Sequence, residues 1–262
     1  MPESLSEKVP EGLVVNRRWL QEKGIVRPAV DYYLRSGALK SVARGFYRRP
    51  GPPLLWQSVA YSLQQMGFNC HVGGYTALDD LGYGHFLSLS GNRQVALYGV
   101  DALPQWLSTW HQDQLLPSNQ FQFTLHKLTW LKLVQKDFLG VHSFGHWNWQ
   151  IEYATAELAV LELLVGLESS TGFQRLDRVF ESLTSLRPRR VQHLLQVCPS
   201  IKARRLFGWF AERHNHAWFN RVDWKQINLG SGKRSIVKGG RYNSRWKITV
   251  PRNLEEEAVG GF

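Results

Sequence analysis

Cysteine is nearly absent: Cys70 and Cys198 are the only two among 262 residues. That scarcity excludes a disulfide scaffold or a cysteine-rich zinc cluster and fits a reducing, cytoplasmic location. No apolar run approaches the roughly 20 residues of a membrane-spanning helix, and residues 1–15 lack the apolar core of a signal peptide. Acidic residues are scarce where basic ones are dense. Residues 175–252 hold eighteen Lys/Arg against four Asp/Glu, and residues 1–52 hold ten against five. The stretch between them reverses the balance with four against nine, and residues 253–262 add three glutamates. The net charge is +11. With 43% hydrophobic residues and eleven Trp, the chain has enough apolar material for one large domain or two of ordinary size. Two basic blocks around a mildly acidic middle point to a polyanionic partner; a solvated surface is the plainer use of such charge.

Complete catalytic motifs are also missing. The segment LGSGKR resembles part of a phosphate-binding loop. That loop needs a glycine five residues before its Gly-Lys pair and Ser or Thr after the lysine, but Ile227 and Arg234 stand there. His142 and His146 have the four-residue spacing of a helical metal site. Gly145 and the alternating run Trp147 to Tyr153 argue against a helix, and no Glu follows His142. His214 and His216, beside Trp218, read as packing or surface residues. Cys70, next to His71, has no further support as a nucleophile. Asp223-Trp224-Lys225 matches the D-x-K fragment of some metal-dependent nucleases and is the remaining enzymatic alternative. No enzyme, cofactor or metal site is expected.

What is present is an organised N-terminal block. Asn16 is a suitable N-cap for a short helix from Arg17 to Lys23, stopped at Gly24. Pro28 suits the start of a second helix, whose Val30, Tyr33 and Leu34 share an apolar face and whose opposite arc carries Pro28, Asp31, Tyr32 and Arg35. Gly37 ends it. Leu39–Val42 and Gly45–Tyr47 then pair as a hairpin. Helix, turn, helix and hairpin make a winged helix-turn-helix. Its second helix would enter a major groove of double-stranded DNA and its ribbon would lie along the backbone or minor groove. Candidate DNA contacts are Arg17, Arg18, Arg27, Tyr32, Arg35, Lys40, Arg44, Arg48 and Arg49. The alternative is a winged helix used for protein contacts.

Several motifs carry a family resemblance. GIVRPAVDYYLRSGALKSVARGFYRRPG, WQSVAYSLQQMG and HVGGYTALDDLG resemble the N-terminal part of AbiEi-type antitoxins. TAELAVLELLVGL, LTSLRPRRVQHLLQVCPSIKARRLFGWFAERHNHAWF, INLGSGKR and IVKGGRYNSRWKITVP resemble the C-terminal antitoxin domain of that family. The resemblance implies a bacterial repressor of its own toxin–antitoxin operon, with operator DNA as one partner. It also implies a nucleotidyltransferase-fold toxin as antagonist, in a type IV system where the two need not form a stable complex. Direct binding of an acidic toxin surface is the alternative route.

The remainder reads as mixed helix and strand. A helix is expected at Leu54–Met66, and another after Gly73-Gly74, whose N-terminus either binds an anion or makes a tight turn. Strands are expected at Val95–Tyr98, Phe121–Leu125, Leu128–Val134 and Trp147–Tyr153. A nearly apolar helix Ala156–Leu167 follows a threonine cap, and then helices at Arg175–Leu183, Pro188–Val197 and Ile201–His214. Lys202, Arg205 and Arg213 are expected on the exposed side of the last helix. They join Lys233, Arg234, Lys238, Arg241, Arg245 and Lys247 of the basic, turn-rich end as candidate contacts to DNA or toxin. The expected fold is α+β: a winged-helix region with its following helices over residues 1–91, a larger antitoxin domain over 92–252, and a frayed acidic tail over 253–262.

Overall fold

The computed structural model describes residues 4–84, 93–100, 102–109, 121–133, 136–145, 148–167 and 170–257. In chain order its elements begin α1 (Leu5–Lys8), β1 (Val14–Asn16), α2 (Arg17–Glu22), α3 (Arg27–Arg35), β2 (Lys40–Ala43), β3 (Phe46–Arg48), α4 (Trp56–Gln65), β4 (Cys70–Val72) and α5 (Gly74–Asp80). They continue with β5 (Arg93–Gly99), α6 (Trp106–Thr109), β6 (Phe121–Lys127), β7 (Leu139–Phe144), β8 (Trp149–Ala154) and α7 (Ala156–Gly166). Then come α8 (Ser170–Ser182), α9 (Pro188–Val197), α10 (Ile201–His214), β9 (Arg241–Asn243), β10 (Ile248–Val250) and α11 (Arg252–Glu257). The fold is α+β, and no described helix is long and apolar enough to cross a membrane.

Two compact units interleave along the chain. The first comprises residues 1–72, 88–129 and 140–153; the second comprises 73–87, 130–139 and 154–262. This division differs from a linear one because β4 finds its partners far downstream. It pairs antiparallel with β5 and parallel with β8, where Val72 faces Tyr153. β5 pairs in parallel with β6, giving the sheet order β6-β5-β4-β8-β7. The 91–92 boundary expected from sequence falls outside the described residues.

The first unit also holds the winged helix. The Asn16 carboxamide oxygen accepts from the Trp19 N–H at 2.8 Å and caps α2. Pro28 lies in the first turn of α3, where its missing N–H leaves no bond unmade. Val15, Leu20, Ile25, Val30 and Leu39 are buried together. β1 and β2 flank β3, so the hairpin becomes a three-stranded sheet. Trp149 of β8 joins this core and stacks on Tyr61 at 4.7 Å. Gly12, beside the indole, has φ +85, a left-handed conformation that favours glycine.

The second unit is built around α7 and α10. Residues Ala156 to Glu162 of α7 are all buried, including Glu157 and Glu162. The Glu162 carboxylate accepts from the Gly74 N–H at the start of α5, at 2.9 Å. Glu157 accepts from the Arg187 N–H just before α9, also at 2.9 Å. An internal carboxylate thus occupies the glycine-led helix start that could have held an anion. Phe173, Phe180, Phe207 and Phe210 pack between α8 and α10, with Phe180 stacked on Phe210 at 4.9 Å.

Three expectations need correction. Residues 129–133 form a 3-10 turn rather than part of a strand; consecutive Trp130 and Leu131 are both buried, which a two-residue alternation does not allow. Thr155 has N-cap backbone geometry without a side-chain cap bond, and its buried hydroxyl has no partner among the described residues. The acidic run begins as helix α11 rather than as a frayed end, because Leu254 is buried and its carbonyl accepts from Arg213 Nη1.

Candidate nucleic-acid interface

The winged helix presents a charged arc. Val30 turns the inner side of α3 into the core, while Ala29, Tyr33 and Leu34 pack against it from partly buried positions. Arg27, Tyr32 and Arg35 are left exposed. Tyr32 is 60% exposed although it is a large aromatic residue, and its ring lies edge-on to Tyr33 at 5.7 Å. Arg44 is exposed at the hairpin turn beside Gly45, and Lys40 is exposed where β2 begins. On α2, Arg18 is exposed and pairs with Glu22 at 3.0 Å. Arg17 donates from Nε to the Tyr47 hydroxyl at 2.8 Å. That bond is the largest effect holding its guanidinium above the ordinary pKa.

Arg48 does not belong to the exposed set. It is 4% exposed, donating from Nε to the Arg49 carbonyl and from Nη2 to those of Gly51 and Pro52. Burial lowers its pKa from the usual guanidinium value. It fastens the chain leaving the ribbon and is not available to phosphate. Arg49 is half-buried, with Nη1 3.4 Å from the Val9 carbonyl.

In the second unit, three expected surface cations are structural. Arg205 is 1% exposed. Its Nε donates to the Leu229 carbonyl at 2.5 Å, and its Nη1 to the carbonyls of Gly232 and Lys247 at 2.6 and 3.0 Å. Neighbouring Arg204 donates to the carbonyls of Cys198 and Asn228. The LGSGKR segment therefore turns carbonyl oxygens onto a cation, the opposite of a loop that aims N–H groups at phosphate. Lys202 donates to the Leu167 carbonyl at 2.9 Å. Arg213 pairs with Asp177 at 2.8 Å, and Asp177 also bonds His214 at 2.8 Å. Burial pushes the Asp177 pKa up, but the bonds from His214 and Arg213 outweigh it and leave the pKa below the usual carboxylate range. The helical periodicity placed Lys202, Arg205 and Arg213 on a solvent face; α10 is buried almost all round from Ala203 to Ala211, so that face does not exist.

Lys233, Arg234, Lys238, Arg241 and Lys247 are exposed near the C-terminal hairpin. Lys233 lies over the Tyr242 ring at 4.9 Å. Arg245 is paired with Glu212, which also accepts from the Trp246 indole N–H at 2.6 Å. Trp246 lies against Gly208, where a Cβ would come within 2.0 Å of the indole.

The enzymatic candidates have local tasks. Asp223 accepts from the Lys225 N–H and the Gln226 amide, capping a short 3-10 turn. Burial pushes the Cys70 thiol up to about 12 and raises that of Cys198, so neither supplies a thiolate at neutral pH. His142 stacks on Tyr153 at 4.5 Å; His146 lies outside the described residues. His216 faces the Phe180 carbonyl at 2.8 Å.

The family models for AbiEi antitoxins account for nearly the whole chain. The N-terminal-domain model, a transcriptional regulator, matches residues 1–89, and the model for the transcriptional regulator and antitoxin of type IV TA systems matches residues 92–251. The chain belongs to the AbiEi antitoxin family. A solved structure, the RV2827C protein from Mycobacterium tuberculosis, is similar in fold at a TM-score of 0.55 and 14% identity, covering 95% of this chain and 90% of that one. No curated protein is significantly similar.

For an AbiEi antitoxin, a transcriptional regulator with a winged N-terminal region, the sequence alone does not show every part of the candidate interface. The strand β1 is three residues long, too short for a period to show. Tyr47, read only as a ribbon residue, anchors Arg17. Asp31, on the outer arc of α3, lies 3.8 Å from Arg17 and 3.9 Å from Arg27. Its four-residue spacing from Arg27 was the available signal.

Proposed function

We propose that this AbiEi-family antitoxin binds operator DNA of its own operon through α3 and the β2–β3 ribbon, represses that operon, and counteracts a nucleotidyltransferase-fold toxin. One observation carries the DNA reading: a short helix, packed on its inner side, leaves Arg27, Tyr32 and Arg35 exposed together on its outer arc. Helices of this kind dock in the major groove, where arginine meets guanine edges. Arg17, Arg18, Lys40, Arg44 and Arg49 supply phosphate contacts around it. The family resemblance supports the toxin assignment.

The test is binding to duplexes tiled across the promoter of its operon over a salt series. Arg44→Ala should weaken binding to all sequences alike and flatten the slope of log K against log salt by about 0.9. An unchanged slope would remove the ribbon tip from the interface.

A second reading, direct engagement of an acidic toxin surface, draws on the exposed cations of the other unit. Between Asp223 and Glu255 the sequence has no acidic residue. Charge reversal at Lys238 and Arg241 should weaken protection of toxin-expressing cells and leave operator binding intact. Loss of operator binding instead would assign these cations to DNA.

A further inference from the structure

The outer arc of α3 carries one carboxylate among its cations. Asp31 follows Arg27 by one turn and precedes Arg35 by one turn, with a side chain 46% exposed. Oδ1 lies 3.8 Å from Arg17 Nη2 and Oδ2 lies 3.9 Å from Arg27 Nε. Arg17 is held in turn by the Tyr47 hydroxyl of β3. A single carboxylate thus links α2 and α3, and through Arg17 the ribbon, among the cations of the winged helix. Exposed pairs at such distances add little to folding stability, so stability does not account for an acid placed there. Its effect on a polyanion is larger. A carboxylate facing a groove repels phosphate, and the base-edge groups it can accept from are the exocyclic amino groups, chiefly cytosine N4.

We propose that Asp31 is a specificity-determining residue of the DNA interface. On non-operator duplex it keeps Arg17 and Arg27 engaged and adds repulsion against the backbone. On the operator it accepts from the amino group of a cytosine, and the two arginines are released to phosphates. This inference rests on the DNA-binding reading above.

The experiment compares wild type and Asp31→Ala on the promoter duplex and on a shuffled duplex of equal composition, over a salt series. Asp31→Ala should bind the shuffled duplex about tenfold more tightly, with a salt slope steeper by about 0.9 for each arginine freed. Its promoter-to-shuffled ratio should fall about tenfold. A scan of C·G pairs in the promoter duplex should find one whose change costs wild type about tenfold and costs Asp31→Ala nothing. Asp31→Asn, nearly isosteric, should shift the preference at that pair toward adenine, which Asn recognises through N6 and N7. Matching melting temperatures would confirm that each variant is folded. An unchanged ratio, or equal losses on both duplexes, would overturn the inference. A wild-type protein with no preference for the promoter duplex would instead overturn the DNA-binding reading, before any variant is compared.

Discussion

Arg205→Ala should destabilise the protein by about 2–4 kcal/mol, since it removes a buried guanidinium that donates to main-chain carbonyls. The carbonyls of Leu229, Gly232 and Lys247 all converge on that guanidinium. The Lys247 carbonyl keeps the Arg234 N–H as a donor at 3.0 Å, so the cost falls mainly on the carbonyls of Leu229 and Gly232, at about 1–3 kcal/mol for each left without a donor, and local relaxation recovers part of the sum. The reading is a lower midpoint of urea unfolding. Lys233→Ala, at an exposed position in the same segment, should change stability by less than about 0.5 kcal/mol. A small effect at Arg205 would mean that the LGSGKR segment holds its shape without the cation. Charge reversal across Lys202, Arg205 and Arg213 would lose antitoxicity through unfolding, whatever surface contacts the toxin.

Arg35→Ala should cost about 1–3 kcal/mol at the specific duplex and much less on random DNA. Arg35 is exposed in the last turn of α3, at the end of the arc opposite Val30. Its place on the helix suits base-edge contact, whereas Arg44 at the ribbon turn suits the backbone. The two substitutions should therefore differ in kind: one lowers discrimination, the other lowers affinity evenly. Fluorescence anisotropy on both duplexes separates them. Equal losses at Arg35 would make it a phosphate contact and leave Tyr32 as the candidate reader on that arc.

Local signals in the sequence were legible where one element decides them. Asn16 as a cap, Gly24 and Gly37 as stops, and the helices Pro188–Val197 and Ile201–His214 follow from caps, breakers and periodicity. The arc of α3 was legible for the same reason, since burial of Val30 sets the opposite face. What did not show were tertiary assignments. Arginine at a polar position of a helical pattern reads as solvated, but Arg205 is surrounded by carbonyls from a segment more than twenty residues away. Arg48 reads as ribbon charge, yet its partners are the backbone of the glycine- and proline-rich exit. The same limit hid the pairing of β4 with β8, which the sequence separates by more than seventy residues.

The indole of Trp149 gives the winged helix a history in time. The ring enters the core formed by Val15, Leu20 and Val30, but it is translated long after those residues. At roughly 5–20 residues per second, synthesis reaches it on the order of ten seconds after Val15. Until then the nascent winged helix has its helices and its ribbon but lacks one of its core rings. Fragments cut near Gly91 share that gap, so weak binding by such a fragment would measure a missing side chain as much as a missing partner domain. Completion of that core is thereby tied to chains that the ribosome has carried past residue 149.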